Sequence, residues 1–230
     1  GERALARAAH PEAAARFEAA LHVLDLDEHD ESADPRRVAR IRAELLVLLG
    51  QALWRSGSTG EARERFAAGF ELARTIRDAE TLARAALGFV GRTDVTPGVN
   101  HEAVAMLGSA LAALPECDSA LRAELLARLG TELYYDDARG RSDPLTAAAV
   151  AMAERLDEPE LLAYTLSARH YALTIPSVDP SERLELLDRL VALAERTHAL
   201  DALTLGLQES VAELLEIGDA ARMDVARAMT

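Results

Sequence analysis

An all-α fold built from antiparallel helix pairs follows from three features of this sequence. Alanine, leucine, glutamate and arginine dominate, and these residues lose little side-chain freedom on entering a helix. Aromatic residues make up only 4% of the chain, and the β-branched and aromatic runs that mark strands are missing. Apolar residues recur at helical spacing and stop at glycine or proline. The same helix–turn–helix pattern then returns along the chain.

Near the N-terminus, HPEAAARFEAALHVL predicts a helix over 11–26, and the residues before it read as the end of an earlier helix. The acidic stretch DLDEHDESADP follows as a loop. Residues 35–56 come next, with Leu45, Leu46, Leu48, Leu49, Ala52 and Leu53 covering one broad face. Gly57 and Gly60 interrupt that helix, and Ser58 or Thr59 can cap its successor. Ala62, Phe66, Gly69 and Phe70 then form the apolar stripe of a helix over 59–77. Two helices joined by so short a turn pack antiparallel, and the small residues Gly50 and Ala62 are expected where they cross.

The pattern recurs in LARAALGFVG, which predicts 79–91, and in a helix over 100–114 after the Pro97–Gly98 break. The segment from Arg122 to Leu156 repeats it again, with Leu129–Gly130 in the first helix, over 118–136, and an alanine-rich second helix over 142–157. LLAYTLSARHYAL gives 159–174 and places Ala168 and Tyr171 in the matching positions. Helices over 180–197, 199–216 and 219–229 complete the series, with Pro176, Pro180 and Gly218 as punctuation. The total is about twelve helices in pairs, spaced about 40 to 45 residues apart.

At LLVLLGQALWRSGSTGEARERF the chain resembles a tetratricopeptide repeat (TPR). Leu46, Leu49–Gly50, Leu53, Ala62, Phe66 and Gly69 stand in that family's signature places, with Leu53 and Gly69 as mild departures. The resemblance implies a right-handed superhelical solenoid of about six TPR-like antiparallel hairpins, forming one repeat domain over 1–230. A narrower resemblance is carried by ELLVLLGQALWRSGSTGEARERF, LARAALGF, ALPECDSALRAELLARLGTELYY and LSARHYAL. These stretches resemble the helical arm of actinobacterial LuxR-type and AfsR-like (MalT-like) signal-transduction ATPase regulators. That resemblance implies a non-catalytic sensor or protein-contact arm in a longer regulator with NTPase and DNA-binding modules elsewhere. Neither end reads as a polar capping repeat, so a fragment of a longer protein is expected. The implied partners are a protein or peptide, or a small-molecule effector, with no cofactor.

Charge and chemistry narrow the classes further. A net charge of −14 repels phosphate backbones and anionic lipid, so neither nucleic acid nor membrane is an expected partner. Every basic residue is arginine, a bias expected of a GC-rich bacterial genome, and without lysine no Walker A loop can be written. The single cysteine, Cys117, excludes an intrachain disulfide. With no signal peptide or run of eighteen apolar residues, a cytoplasmic location is expected.

In a solenoid the first helices line the inner surface. Alignment on the Leu-Gly positions projects Gln51, Trp54, Arg55, Phe89, Arg92, Thr131, Tyr134, Tyr135, Arg169 and Gln208 into that groove. Trp54 and Tyr134 either plug gaps between successive repeats or serve as recognition anchors. The adjacent Asp136 and Asp137 point about 100° apart on a helix and sit at its unfavourable C-terminal end, which argues against a metal–diphosphate pair. The acidic loop around His22 and His29 lacks EF-hand spacing. His101, His170 and His198 assemble no nucleophilic triad at usable spacing. An all-α metal-dependent enzyme is therefore the weakest expectation, and a constitutive peptide-binding scaffold is the nearer alternative.

Overall fold

The computed structural model describes residues 2–27, 34–91, 98–135, 139–174 and 178–229. Every regular element among them is helical. In chain order these are α1 (Glu2–Asp27), α2 (Pro35–Ser56), α3 (Thr59–Ile76), α4 (Ala79–Val90), α5 (His101–Ala113) and α6 (Ala120–Glu132). There follow α7 (Ser142–Leu156), α8 (Pro159–Ala172), α9 (Pro180–Thr197), α10 (Leu200–Ile217) and α11 (Ala220–Met229). Two 3-10 turns, Leu133–Tyr135 and Arg139–Arg141, extend the end of α6 and lead into α7. No helix among the described residues is long and apolar enough to cross a membrane.

The expected helix boundaries hold closely from α2 onward. The exception is α1, which runs through Pro11 as one helix where two were expected. An interior proline forgoes one backbone hydrogen bond and costs about 3 kcal/mol. The packing of α1 along α2 carries the helix across that loss.

Side-chain caps set several of the starts. Asp34 accepts the Arg36 N–H at 3.0 Å, with Pro35 in the first turn of α2. Asp179 does the same for α9 through the Ser181 N–H at 2.9 Å, and Ser119 caps α6 through Arg122. Ser58 stands at the cap position of α3 but makes no capping bond with its side chain.

Three connections repeat one geometry. Arg77, Asp157 and His198 end α3, α7 and α9 in the left-handed region, at φ 59°, 55° and 56°. Each is followed by one residue outside the helical region, Asp78, Glu158 or Ala199, and the next helix begins at once. At α3 and α9 the loop closes by a bond back to the last helical turn, Asp78 N–H to Ala73 O at 2.9 Å and Ala199 N–H to Ala194 O at 3.0 Å.

The helices form two compact units, α1–α5 and α6–α11. Within each unit, helices pack on their chain neighbours, and first helices also touch one another: α2 with α4, α6 with α8, and α8 with α10. In the first unit Phe66 of α3 is the pivot. Its ring is 2% exposed and lies against both Gly50 of α2 and Gly88 of α4. A Cβ added at Gly50 would stand 2.9 Å from the ring, and one at Gly88 only 2.2 Å. The small residue expected at the α2–α3 crossing therefore makes room for the phenyl group, and the recurring Leu-Gly of the next hairpin makes room for the same group from the other side. In the second unit Gly130 and Thr146 keep the same spacing, and a Cβ at Gly130 would meet Thr146 Cγ2 at 2.5 Å. The core of this unit is built on Val150, Leu166, Leu187, Leu190 and Leu193, with a smaller cluster at Leu184, Leu207 and Leu214.

A paired substitution tests the close approach. Gly88→Ala gains up to about 1 kcal/mol of helix propensity, but overpacking against Phe66 costs about 1–3 kcal/mol. Net destabilisation is expected in urea unfolding. Gly108→Ala, in the middle of α5 with open space around its Cα, is expected to leave stability unchanged or raise it.

Candidate functional site

The first helices α2 and α4 leave an open cleft of about 350 Å³ between them. Arg40, Glu44, Val47, Leu48 and Gln51 of α2 form one wall, and they share a face because they recur at helical spacing. Asp78, Glu80, Thr81 and Arg84, at the start of α4, form the other.

Most of the charges in the cleft are engaged. Asp78 caps α4, accepting the Thr81 N–H at 3.3 Å and the Thr81 hydroxyl at 3.1 Å. Arg40 Nε lies 3.3 Å from Asp78 Oδ2, the oxygen that also accepts the Thr81 hydroxyl. Arg84 pairs with Glu80 at 2.6 Å, one turn along the same helix. Glu44 is exposed, and none of these arginines bonds to it. Leu48, one turn further on, is 40% exposed.

In the second unit a cluster of phenols joins α6 to α8. Tyr134 meets Tyr135 edge-on and Tyr171 at a tilt, with both centroid distances 4.8 Å. The Tyr134 hydroxyl donates to the Thr174 carbonyl at 2.8 Å. Burial, followed by a hydrogen bond with Tyr135, pushes the Tyr171 phenol well above its ordinary value.

A buried charge network joins α8, α9 and α10. Arg183 Nε donates to Glu213 Oε2 at 2.8 Å, and its Nη1 donates to the Val178 carbonyl at 2.9 Å. His170 Nε2 lies 2.9 Å from Glu213 Oε1. Glu216 takes the outer edge of the guanidinium. His170, Arg183 and Glu213 are each no more than 4% exposed. An ionised carboxylate only accepts, so the His170 nitrogen facing it carries the proton. Burial alone would raise the Glu213 carboxyl, but the bonds from Arg183 and His170 together outweigh it and hold the group below the usual carboxylate range. The hydrogen bond to Glu213 raises Arg183 in turn.

The residues projected into a groove have several distinct fates. Gln51 lines the α2–α4 cleft. Trp54 is half-buried, with its ring against Gly91 at the end of α4, and Tyr134 reaches the end of α8 in the corresponding way. Both therefore bridge successive first helices within their units. Phe89 is buried, with the Arg63 guanidinium 4.5 Å above its ring. Thr131 is also buried and donates back to the Ala127 carbonyl at 3.0 Å. Neither is presented at a surface, because each faces its helix neighbours. Arg169 turns toward α7, donating to the Asp143 carbonyl at 2.8 Å and pairing with that residue's carboxylate. Arg55, Tyr135 and Gln208 are exposed. Arg92, Asp136, Asp137 and His29 lie outside the described residues.

The buried network escaped the pattern reading. Four residues before the buried Phe66, Leu107, Thr146 and Leu187 of successive second helices stand Ala62, Ala103, Ser142 and Arg183. Arg183 thus occupies the small-residue position, a signal that aligning the second helices exposes. Comparison with protein-family models finds no match, and comparison with curated protein sequences finds none either.

Proposed function

We propose that this chain is a non-catalytic recognition arm in which TPR-like hairpins stack as a right-handed solenoid and bind a peptide segment on their first helices. The observation that carries this proposal is the α2–α4 cleft. It is open, is formed by two first helices, and presents an aliphatic side chain, a side-chain amide and an unbonded carboxylate. Such a surface suits an extended chain, whose backbone an amide can both donate to and accept from. Within a longer ATP-dependent transcriptional regulator, occupancy of the cleft would bias an inactive-to-active equilibrium by the difference in affinity between the two states.

Selection from a random heptapeptide library on the immobilised chain tests this. Enriched peptides are expected to lose at least tenfold in affinity to a Leu48→Asp, Gln51→Ala variant that keeps the wild-type melting curve. Enriched peptides whose binding ignores that variant, or no enrichment at all, would remove the cleft as the binding surface.

A further inference from the structure

Resting on that peptide-binding reading, we infer that the α2–α4 cleft selects a basic segment, one with an arginine or lysine two residues before an aliphatic side chain. The spacing follows from the wall of α2. Glu44 and Leu48 are four residues apart, about 6 Å at a helical rise of 1.5 Å per residue. An extended peptide rises about 3.3 Å per residue, so residues i and i+2, which share a face, span nearly the same distance. A cation on Glu44 thus brings an aliphatic group over Leu48. Gln51 lies seven residues from Glu44, about 10 Å along the helix, and meets the peptide backbone one residue further on.

The sign of the charge follows from what is already bonded. The cleft holds two guanidiniums and three carboxylates. Arg84 is paired with Glu80, and Arg40 lies against Asp78, which also caps α4. Each guanidinium is thus balanced by one carboxylate, and the third carboxylate is left as the uncompensated charge of the cleft. The group left open is Glu44, exposed beside an exposed Leu48. The net charge of the whole chain, −14, favours the approach of a cationic segment over an anionic one.

The test uses two acetylated hexapeptides in an alanine–glycine background, titrated into the isotopically labelled chain and followed by amide resonances. One carries arginine at its second position and leucine at its fourth; the other carries glutamate in place of the arginine. The arginine peptide is expected to shift the amides of Glu44, Leu48, Gln51 and Thr81. It should bind at least fivefold more weakly to Glu44→Gln and more weakly as salt rises from 50 to 300 mM. Glu44→Arg should reverse the preference in favour of the glutamate peptide. If the glutamate peptide binds the wild-type chain as tightly on the same amides, the basic preference is wrong while peptide binding in the cleft stands. If neither peptide at 5 mM moves those amides, the assigned spacing and charge both fall. The library selection then decides separately whether the cleft binds peptides at all.

Discussion

Phe66→Ala is expected to lower stability by about 3–5 kcal/mol, the range for deleting a buried phenyl ring. The value should sit high in that range because relaxation is blocked on both sides. Gly50 and Gly88 are backbone surfaces with no side chain to swing into the void, and Ala62, one turn before the ring, is a fully buried alanine. Chemical denaturation followed by circular dichroism measures the loss. A coupled variant sharpens the result. In the Phe66→Ala background the new side chain of Gly88→Ala projects into the emptied space, so this second substitution should cost at least 1 kcal/mol less there than in the wild type. Strict additivity, or a loss below about 1.5 kcal/mol for Phe66→Ala, would show that the ring is not the pivot of α2, α3 and α4.

Glu213→Ala is expected to cost a similar amount, about 3–5 kcal/mol, for a different reason. The substitution leaves the Arg183 guanidinium buried with only the exposed Glu216 as a carboxylate partner, and it strips His170 Nε2 of its acceptor. Replacing the set with apolar groups of similar volume, as in His170→Phe, Arg183→Met, Glu213→Leu, should recover at least half of that loss, since the desolvation of the charges disappears with them. The pH dependence has a definite sign. The Glu213 carboxyl is held below its ordinary value of 4.5. Its contribution is complete above that value and is lost as pH falls through the lower value in the folded chain. The stability gap between wild type and Glu213→Ala should therefore be constant near neutrality and narrow below about pH 4.5. A gap that is unchanged at pH 3 would mean that the carboxylate is not the group at work.

The regular part of this fold was legible in the residues, and the reasons are local. Glycine, proline and aspartate at the turns fix where helices start and stop, so α2 through α11 fall close to their expected bounds. Pro11 misled because a local rule ends a helix there, whereas contact with α2 decides the outcome. Gln51 was legible as a surface residue of a first helix. Phe89 and Thr131 were not, since a projection from the Leu-Gly positions ignores the fact that each helix has neighbours on more than one side. His170 and Glu213 are distant in sequence, and each reads locally as an ordinary polar residue near a helix end. Only the packing of α8 against α10 makes them partners.

The two-residue joints after α3, α7 and α9 carry a consequence for how such a chain can change in length. A joint of one left-handed and one further non-helical residue has no slack. An inserted residue either destroys the closing bond found after α3 and α9 or is wound into the following helix. Each residue taken up by the helix turns its face by about 100°, which would carry the buried stripe of α4, α8 or α10 toward water. Insertions, deletions and engineered tags should therefore be rejected at 77–78, 157–158 and 198–199. They should be tolerated in a longer connection such as 114–119, where the element that follows can keep its phase.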